Sequence, residues 1–200
     1  MNYPNPKKKI SSFQQTASEN KAINYSNRGG DLEHDINQTN QYYLNNDLAV
    51  IHKKPTPITV VKGDYPKRSA ATITEAYYKL PSTTDYNGIY RGKYIDFEVK
   101  QSHGRTSLPF PCIHPHQIKH LDQVTRHGAI AFLIIRINED DKDYLVRADD
   151  FIAYYNSTTR KSLPYSWIRD NGYIIHRSYI KPCDYLKIVD EVFFSGGMND

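Results

Sequence analysis

The stretch STTDYNGIYRGKYIDFEVK, residues 82–100, predicts two β-strands joined by a turn. Its turn signals are Asn87-Gly88 and Arg91-Gly92, and such glycine-containing dipeptides are typical of β-hairpins. Side chains of a strand alternate between the two faces of its sheet. One face of the second strand therefore carries Ile95, Phe97 and Val99, and the other carries Asp96, Glu98 and Lys100. The charged face is either the solvent side of an ordinary half-buried strand or the working face of a site.

A hairpin in this stretch can bring Asp85, which precedes the first strand, beside Glu98 and Lys100. Two carboxylates near a common point, with an ammonium alongside, form a site for a divalent cation such as Mg²⁺, which prefers a few carboxylates and several waters. Such an ion activates water, and the lysine stabilises negative charge on a phosphate. This Asp, spacer, Glu-x-Lys pattern is that of metal-dependent nucleases, although Glu-x-Lys alone is also common as a surface ion pair. Asp96 is either a further ligand or lies further along the strand.

The remaining sequence mixes helical and strand patterns, which predicts an α/β fold with a mixed sheet flanked by helices. Helical spacing is shown by Leu32, Ile36 and Tyr43, and again by residues 114–128. AIAFLIIRI, residues 129–137, is a continuous apolar run of strand length and predicts a central buried strand. Pro55 and Pro57 divide residues 49–61 into two short strand pieces, whereas residues 62–79 show no clean period.

Basic residues are concentrated in two segments of a chain whose net charge is +4. Residues 1–25 are polar and without periodicity, which predicts a disordered basic arm before a folded domain at 26–200. Residues 51–79 hold six Lys and Arg against two acidic residues, while residues 29–50 hold four acidic residues and no Lys or Arg. A basic segment beside an acidic one suggests a polyanion held near a metal-binding pocket, and the alternative is an ordinary solvated surface.

Several other classes of protein are not supported. No apolar run approaches the ~20 residues of a membrane span, and residues 1–10 lack the apolar stretch of a signal peptide. A soluble cytoplasmic protein without a membrane partner is therefore expected. Neither a P-loop, a dinucleotide fingerprint nor a nucleophile elbow is present. A rival zinc site is less well supported, because no second cysteine lies nearby and Pro115 interrupts the run. Its candidate ligands are Cys112, His114, His116 and His120.

Five ordered stretches resemble one family, the RecU-type Holliday junction resolvases of Gram-positive bacteria. They are NRGGDLE (27–33), IHKKPTP (51–57), YPKRSAATITEAY (65–77), STTDYNGIYRGKYIDFEVK (82–100) and HPHQIKH (114–120). The resemblance covers about residues 26–195 and is far more specific than Glu-x-Lys alone. The chain departs from the family pattern at Gly30-Asp31, beside the residues that the resemblance assigns to catalysis.

The resemblance implies a restriction-endonuclease-like core, a homodimer, and a stalk that enters the centre of a four-way junction, inserted here at about residues 53–76. It implies Mg²⁺ ligands at Thr83, Asp85, Glu98 and Gln117, with Lys100 as the transition-state stabiliser. Glu33 matches a helix carboxylate of this nuclease class, and its alternative role is that of an acid favoured at a helix N-terminus. Contacts to DNA are expected from the basic residues Arg28, Lys53, Lys54, Lys67 and Arg68.

The implied function is Mg²⁺-dependent endodeoxyribonuclease action on Holliday junctions, by paired symmetric nicks that leave 5′ phosphates, in homologous recombination and DNA repair. Recombinase and branch-migration proteins are implied partners. One alternative is a nuclease of the same fold that cuts other branched or duplex DNA. Another is a non-catalytic DNA-binding or annealing module, against which the intact Asp85, Glu98 and Lys100 argue.

Overall fold

The computed structural model describes residues 32–67, 70–78, 83–102, 104 and 106–195. Its helices are α1 (Leu32–Asn45), α2 (Pro115–Arg126), α3 (Ala148–Ser157), α4 (Tyr165–Asn171) and α5 (Tyr185–Val189), with a 3₁₀ turn at Phe110–Cys112 and a π-helical turn at Asp190–Phe194. Its strands are β1 (Val50–Lys53), β2 (Ile58–Asp64), β3 (Thr72–Tyr78), β4 (Tyr86–Tyr90), β5 (Lys93–Ser102), β6 (Ser107–Pro109), β7 (Ile130–Ile137), β8 (Lys142–Arg147), β9 (Ser162–Pro164) and β10 (Tyr173–Ile175). The predicted arm at 1–25 lies outside the described residues, as do Arg28 and Arg68.

A six-stranded mixed sheet in the order β1-β4-β5-β7-β8-β10 forms the centre of the molecule. The β5 and β7 strands are parallel and α2 lies on the connection between them, while the other neighbours in this sheet are antiparallel. The predicted α/β fold, with a mixed sheet flanked by helices, is confirmed. The central placement of the carboxylate-bearing strand β5 agrees with the restriction-endonuclease-like core that the resemblance implies.

Apolar side chains cover both faces of the sheet, in two separate clusters. Ile95, Phe97 and Val99 of β5 belong to the cluster under α1 and α5. Phe97 is fully buried and stacks between Tyr86 and Phe132, with ring centroids 5.0 and 4.8 Å away. Because burying one such ring contributes about 1.5–3 kcal/mol, this stack fixes the height and register of β5. The opposite face of β5 is thereby directed at α2.

The turn that joins β4 and β5 lies at Arg91-Gly92, where both residues have positive φ, 47° and 73°. The other predicted turn signal, Asn87-Gly88, lies within β4 instead. A side chain at Gly88 is excluded, because its Cβ would fall 2.1 Å from the backbone oxygen of Val50 in the neighbouring strand. This glycine therefore permits close strand pairing rather than a turn.

The β2–β3 hairpin is a two-stranded sheet separate from the central one. Its strands lie almost wholly within the segment predicted to form the stalk, and their side chains are exposed along almost the whole length. The sequence predicts no strand within residues 62–79, which show no clean period, but residues 72–78 form β3. With both faces in solvent, the strand lacks the apolar–polar alternation that identifies a half-buried one.

Two long-range contacts fix α1 on the sheet. The buried Arg136 of β7 donates to Asp35 of α1 at 2.7 Å and to Asp143 of β8 at 2.7 Å. At the start of the helix, the backbone N–H of Leu32 donates to the side-chain oxygen of Gln101 at 3.1 Å. No helix in the described ranges is long and apolar enough to cross a membrane.

Candidate active site

The charged face of β5 is buried under α2 and does not face solvent. The side chains of Asp96 and Glu98 are 0% exposed and that of Lys100 is 20% exposed. The N-terminal half of α2 covers this face, and its residues Gln117 and His120 reach the two carboxylates. Burying carboxylates costs free energy unless they are paired, so each of them requires an account of its partners.

Glu98 is only half satisfied. Its Oε1 accepts hydrogen bonds from Gln117 Nε2 at 2.7 Å and from the Lys100 ammonium. Its Oε2 is buried and accepts no hydrogen bond from the described residues. A buried carboxylate oxygen without a donor is a position that a cation would satisfy.

Asp85 lies next to Glu98, just before β4 begins. Its Oδ2 accepts the backbone N–H of Val99 at 3.0 Å, which fixes the carboxylate against β5. Burial is the main cause that raises the pKa of Glu98 to about 7; the nearby charge of Asp85 acts in the same direction and Lys100 acts against it. A buried carboxylate whose ionisation is opposed by a second one nearby is an arrangement that a divalent cation relieves.

The carboxylate pair fits Mg²⁺, which is commonly held by one or two carboxylates with water completing its shell. The two predicted neutral ligands have other partners. Gln117 Oε1 accepts the backbone N–H of His114 at 2.9 Å as part of the cap of α2, so its amide group faces Glu98 as a donor. The Thr83 hydroxyl accepts from Lys54 Nζ at 3.0 Å. The assignment of these two as ligands stays a prediction.

Asp96 is, by contrast, a saturated carboxylate. Its donors are Lys54 Nζ at 2.9 Å, Tyr94 Oη at 2.8 Å, His120 Nε2 at 3.0 Å and the Thr84 hydroxyl. Burial acts to raise the pKa of Asp96, but the hydrogen bonds from His120, Thr84 and Lys54 outweigh it and lower that pKa. Asp96 therefore lies beside the candidate metal position without free capacity for a cation.

The predicted catalytic residue Glu33 and the predicted DNA contacts Lys53, Lys54 and Lys67 differ in exposure and in their partners. Glu33 forms an ion pair with Lys53, and both side chains are about two-fifths exposed. Lys67 is exposed at the end of the β2–β3 hairpin. The ammonium of Lys54 points inward, since its side chain is only 13% exposed. A catalytic role for Glu33 and DNA contacts by these lysines stay predictions.

The rival zinc ligands do not converge. The rings of His114 and His116 stack with centroids 5.3 Å apart, and His120 is turned to Asp96. Within the described residues, no group of three or more His, Cys, Asp and Glu side chains could hold a metal.

Sequence reasoning missed the partners of Asp96. Tyr94 lies two residues before Asp96 on the same strand face, and His120 lies three residues after Gln117 on one helix face. Both spacings are visible in the sequence. The sequence does not indicate that these two faces meet, because their contact depends on how α2 crosses over the sheet.

Comparison with known proteins places the chain in a family. The family model RecU, described as Recombination protein U, matches residues 27–191. A protein of Bacillus cereus (strain G9842) named Holliday junction resolvase RecU is 47% identical over 196 residues, with 96% of this chain and 98% of the relative covered. A protein of the same name from Geobacillus kaustophilus (strain HTA426) is 49% identical over 182 residues, with coverage of 90% and 91%.

One solved structure is a more distant match. Hjc of Archaeoglobus fulgidus, a Holliday junction resolvase from an archaeal hyperthermophile, is 14% identical with a TM-score of 0.40, covering 71% of this chain and 92% of its own. Family membership follows from the sequence matches, which extend over nearly the whole chain. The chain belongs to the RecU family of recombination proteins.

Proposed function

We propose that this protein is a Mg²⁺-dependent endodeoxyribonuclease that resolves Holliday junctions, acting as a homodimer in homologous recombination and DNA repair. The observation that carries the proposal is the buried Oε2 of Glu98, which accepts no hydrogen bond within the described part of the chain and belongs to a carboxylate beside Asp85 and Lys100. The names of the relatives support junction DNA as the substrate.

Asp85 and Glu98 are the residues that would hold the cation. When bound there, Mg²⁺ supplies Lewis acidity, which lowers the pKa of water and stabilises charge on a phosphate. The chain contributes pre-organisation. The Val99 N–H orients Asp85, and Gln117 orients Glu98, so neither carboxylate has to reorganise during the reaction.

Lys100 is the residue placed to act on the phosphate. Glu98 holds its ammonium at the edge of the buried site, and its partial exposure lets DNA approach. An ammonium has three N–H donors, and one of those not directed to Glu98 can donate to a phosphate oxygen, where negative charge grows in the transition state.

Two chains are needed for the reaction as a whole. Each chain carries one such site, and resolving a junction requires a cut in each of two strands. A dimer with two-fold symmetry presents two equivalent sites and so makes symmetric paired nicks.

Junction specificity is tested with a supercoiled plasmid that extrudes a four-way junction and with a linear duplex of the same sequence. We expect Mg²⁺-dependent cleavage of the junction plasmid at least about 100-fold faster than of the duplex, as suits structure-specific recognition. Paired nicks convert the plasmid to its linear form, whereas single nicks leave an open circle.

Other outcomes would favour the alternatives. Equal cleavage of both DNAs would favour a duplex nuclease of the same fold. Junction binding without any cleavage would favour a DNA-binding or annealing module. Open circles as the final product would contradict the paired action of a dimer.

Exposed lysines near the hairpin give a prediction about affinity. We expect Lys53→Gln with Lys67→Gln to weaken junction binding, because both side chains are exposed and carry positive charge. Each phosphate contact contributes about 0.9 to the slope of log affinity against log salt, so the slope should fall by about 1.8. The measurement is fluorescence anisotropy with labelled junction in EDTA at several salt concentrations.

Lys187→Gln is the matched control, since Lys187 is also exposed but lies on α5. Its slope should equal that of the wild type. An unchanged slope in the double variant would remove these two lysines from the DNA interface.

A further inference from the structure

The segment that carries Asp85 depends on other elements for its position. Residues 83–85 belong to no helix or strand, and β4 begins only at Tyr86. Apart from the Val99 N–H that the Asp85 carboxylate accepts, the position of this segment depends on the hydrogen bonds that its own residues receive, because they belong to no strand.

Lys54, which directly follows β1, supplies those bonds. Its backbone N–H donates to the Asp85 carbonyl at 2.8 Å. Its ammonium donates to the hydroxyl of Thr83 at 3.0 Å and to that of Thr84 at 2.6 Å. One residue thus bonds all three residues of the segment.

Asp96 holds the Lys54 ammonium in place. Lys54 Nζ lies 2.9 Å from Asp96 Oδ2, and the Thr84 hydroxyl donates to the other carboxylate oxygen. Tyr94 and His120 complete the shell of Asp96 from β5 and α2. Charge-assisted hydrogen bonds in a site shielded from water are among the stronger ones, so this cluster is rigid.

We propose that Lys54 is a positioning residue of the metal site rather than a contact for DNA. With Thr84 and Asp96 it forms a cluster that fixes residues 83–85, so that Asp85 faces Glu98. The inference rests on the proposed function, since it assigns the cluster to the cation site of that nuclease. It also departs from the sequence-based expectation that Lys54 binds DNA.

Thr84 offers the sharpest test, because valine is nearly isosteric with threonine but lacks the hydroxyl. We expect Thr84→Val to bind Mn²⁺ about tenfold more weakly than the wild type, as is typical when the support of a metal ligand is lost. Thr84→Ser keeps the hydroxyl and should restore affinity to within about threefold. The readout is titration of the DNA-free protein with Mn²⁺, followed by electron paramagnetic resonance.

Neighbouring lysines provide the second arm of the test. Lys54→Met should lose Mn²⁺ affinity and keep junction affinity in EDTA. Lys53→Met should keep Mn²⁺ affinity and bind junctions more weakly, because Lys53 lies outside the cluster. Thermal melting in EDTA establishes whether each variant is folded. If Lys54→Met is unfolded, the comparison of Thr84→Val with Thr84→Ser tests the positioning role.

Two results would overturn the inference. One is wild-type Mn²⁺ affinity in Thr84→Val. The other is a Lys54→Met protein that binds Mn²⁺ normally but junctions poorly, which would make Lys54 a DNA contact. Failure of the proposed function looks different, since the wild type itself would then neither bind Mn²⁺ nor cleave junctions.

Discussion

Lys100→Ala should bind a four-way junction as tightly as the wild type and cleave it about 100- to 1000-fold more slowly at saturating Mg²⁺. The factor is that typical for removing one pre-organised donor to a transition-state charge. Lys100 is bonded to Glu98 at the edge of the site, so its ammonium is in place before DNA arrives. Truncation at a single partly exposed ammonium leaves the rest of the DNA interface intact.

Binding and cleavage are measured separately for this variant. Anisotropy with Ca²⁺ gives affinity, and single-turnover cleavage over a range of Mg²⁺ concentrations gives the rate at saturation. Titrating the metal matters, because losing the ammonium changes the electrostatic environment of Glu98 and Asp85 and so shifts the Mg²⁺ concentration that saturates the site.

Lys93→Ala is the matched control for Lys100→Ala. Lys93 is exposed at the start of the same strand, beside the hairpin turn and away from the carboxylates. It should cleave within about twofold of the wild type. Cleavage by Lys100→Ala at the rate of its control would show that the ammonium has no part in the chemistry.

Glu98→Gln should abolish cleavage and at the same time stabilise the metal-free protein at high pH. Loss of a ligand carboxylate removes several kcal/mol of transition-state stabilisation, which corresponds to at least about a 1000-fold lower rate. The stabilisation has a separate cause, which is the cost of ionising Glu98 in a buried site next to Asp85.

The pH dependence of that cost follows from the sign of the pKa shift. The pKa of Glu98 is raised from 4.5 to about 7 by burial first and by Asp85 second. Below pH 4.5 Glu98 is protonated in both the folded and the unfolded chain, so its pKa shift costs no stability. As pH rises toward 7 the unfolded chain ionises first and folded stability falls. At 1.36 kcal/mol for each pKa unit, the loss above pH 7 is at most about 3 kcal/mol.

A glutamine at position 98 does not ionise and escapes this loss. Scanning calorimetry in EDTA should therefore show a higher melting temperature for Glu98→Gln than for the wild type at pH 8, and little difference near pH 4. Adding Mg²⁺ should raise the melting temperature of the wild type alone, because a ligand stabilises only the state that binds it.

Glu139→Gln provides the baseline, since Glu139 is an exposed glutamate in the β7–β8 turn region. It should melt with the wild type at both pH values. If Glu98→Gln melted no higher than this control at pH 8, the buried carboxylate would not be the destabilising group.

Local patterns in the sequence were sufficient for the main elements around the site. The period of two in residues 95–100 identified the apolar face of β5, and helical spacing identified α1 and α2. Asp85, Glu98 and Lys100 could be grouped because one short hairpin joins them. Their distance in sequence is small enough for turn chemistry to fix their distance in space.

Partners that are distant in sequence could not be found in this way. Lys54 appeared to be one more basic residue of the stalk, and only its contact with Asp96, 42 residues later, shows where its charge is directed. Gln117 is predicted as a ligand, and its contacts, an oxygen that caps α2 and an amide group that donates to Glu98, are consistent with a supporting role that the sequence did not indicate. The choice between these roles depends on tertiary packing, about which local periodicity carries no information.

The exposed β2–β3 hairpin has a thermodynamic consequence of its own. A two-stranded ribbon with side chains in solvent on both faces is marginally stable, because it buries too little apolar surface to offset its backbone entropy. Its amides should open and exchange hydrogen far faster than those of β5 and β7. The hairpin can therefore open while the six-stranded sheet stays folded. A ligand that binds the hairpin must therefore order it. The loss of chain entropy offsets part of the favourable interaction free energy and so lowers the measured affinity.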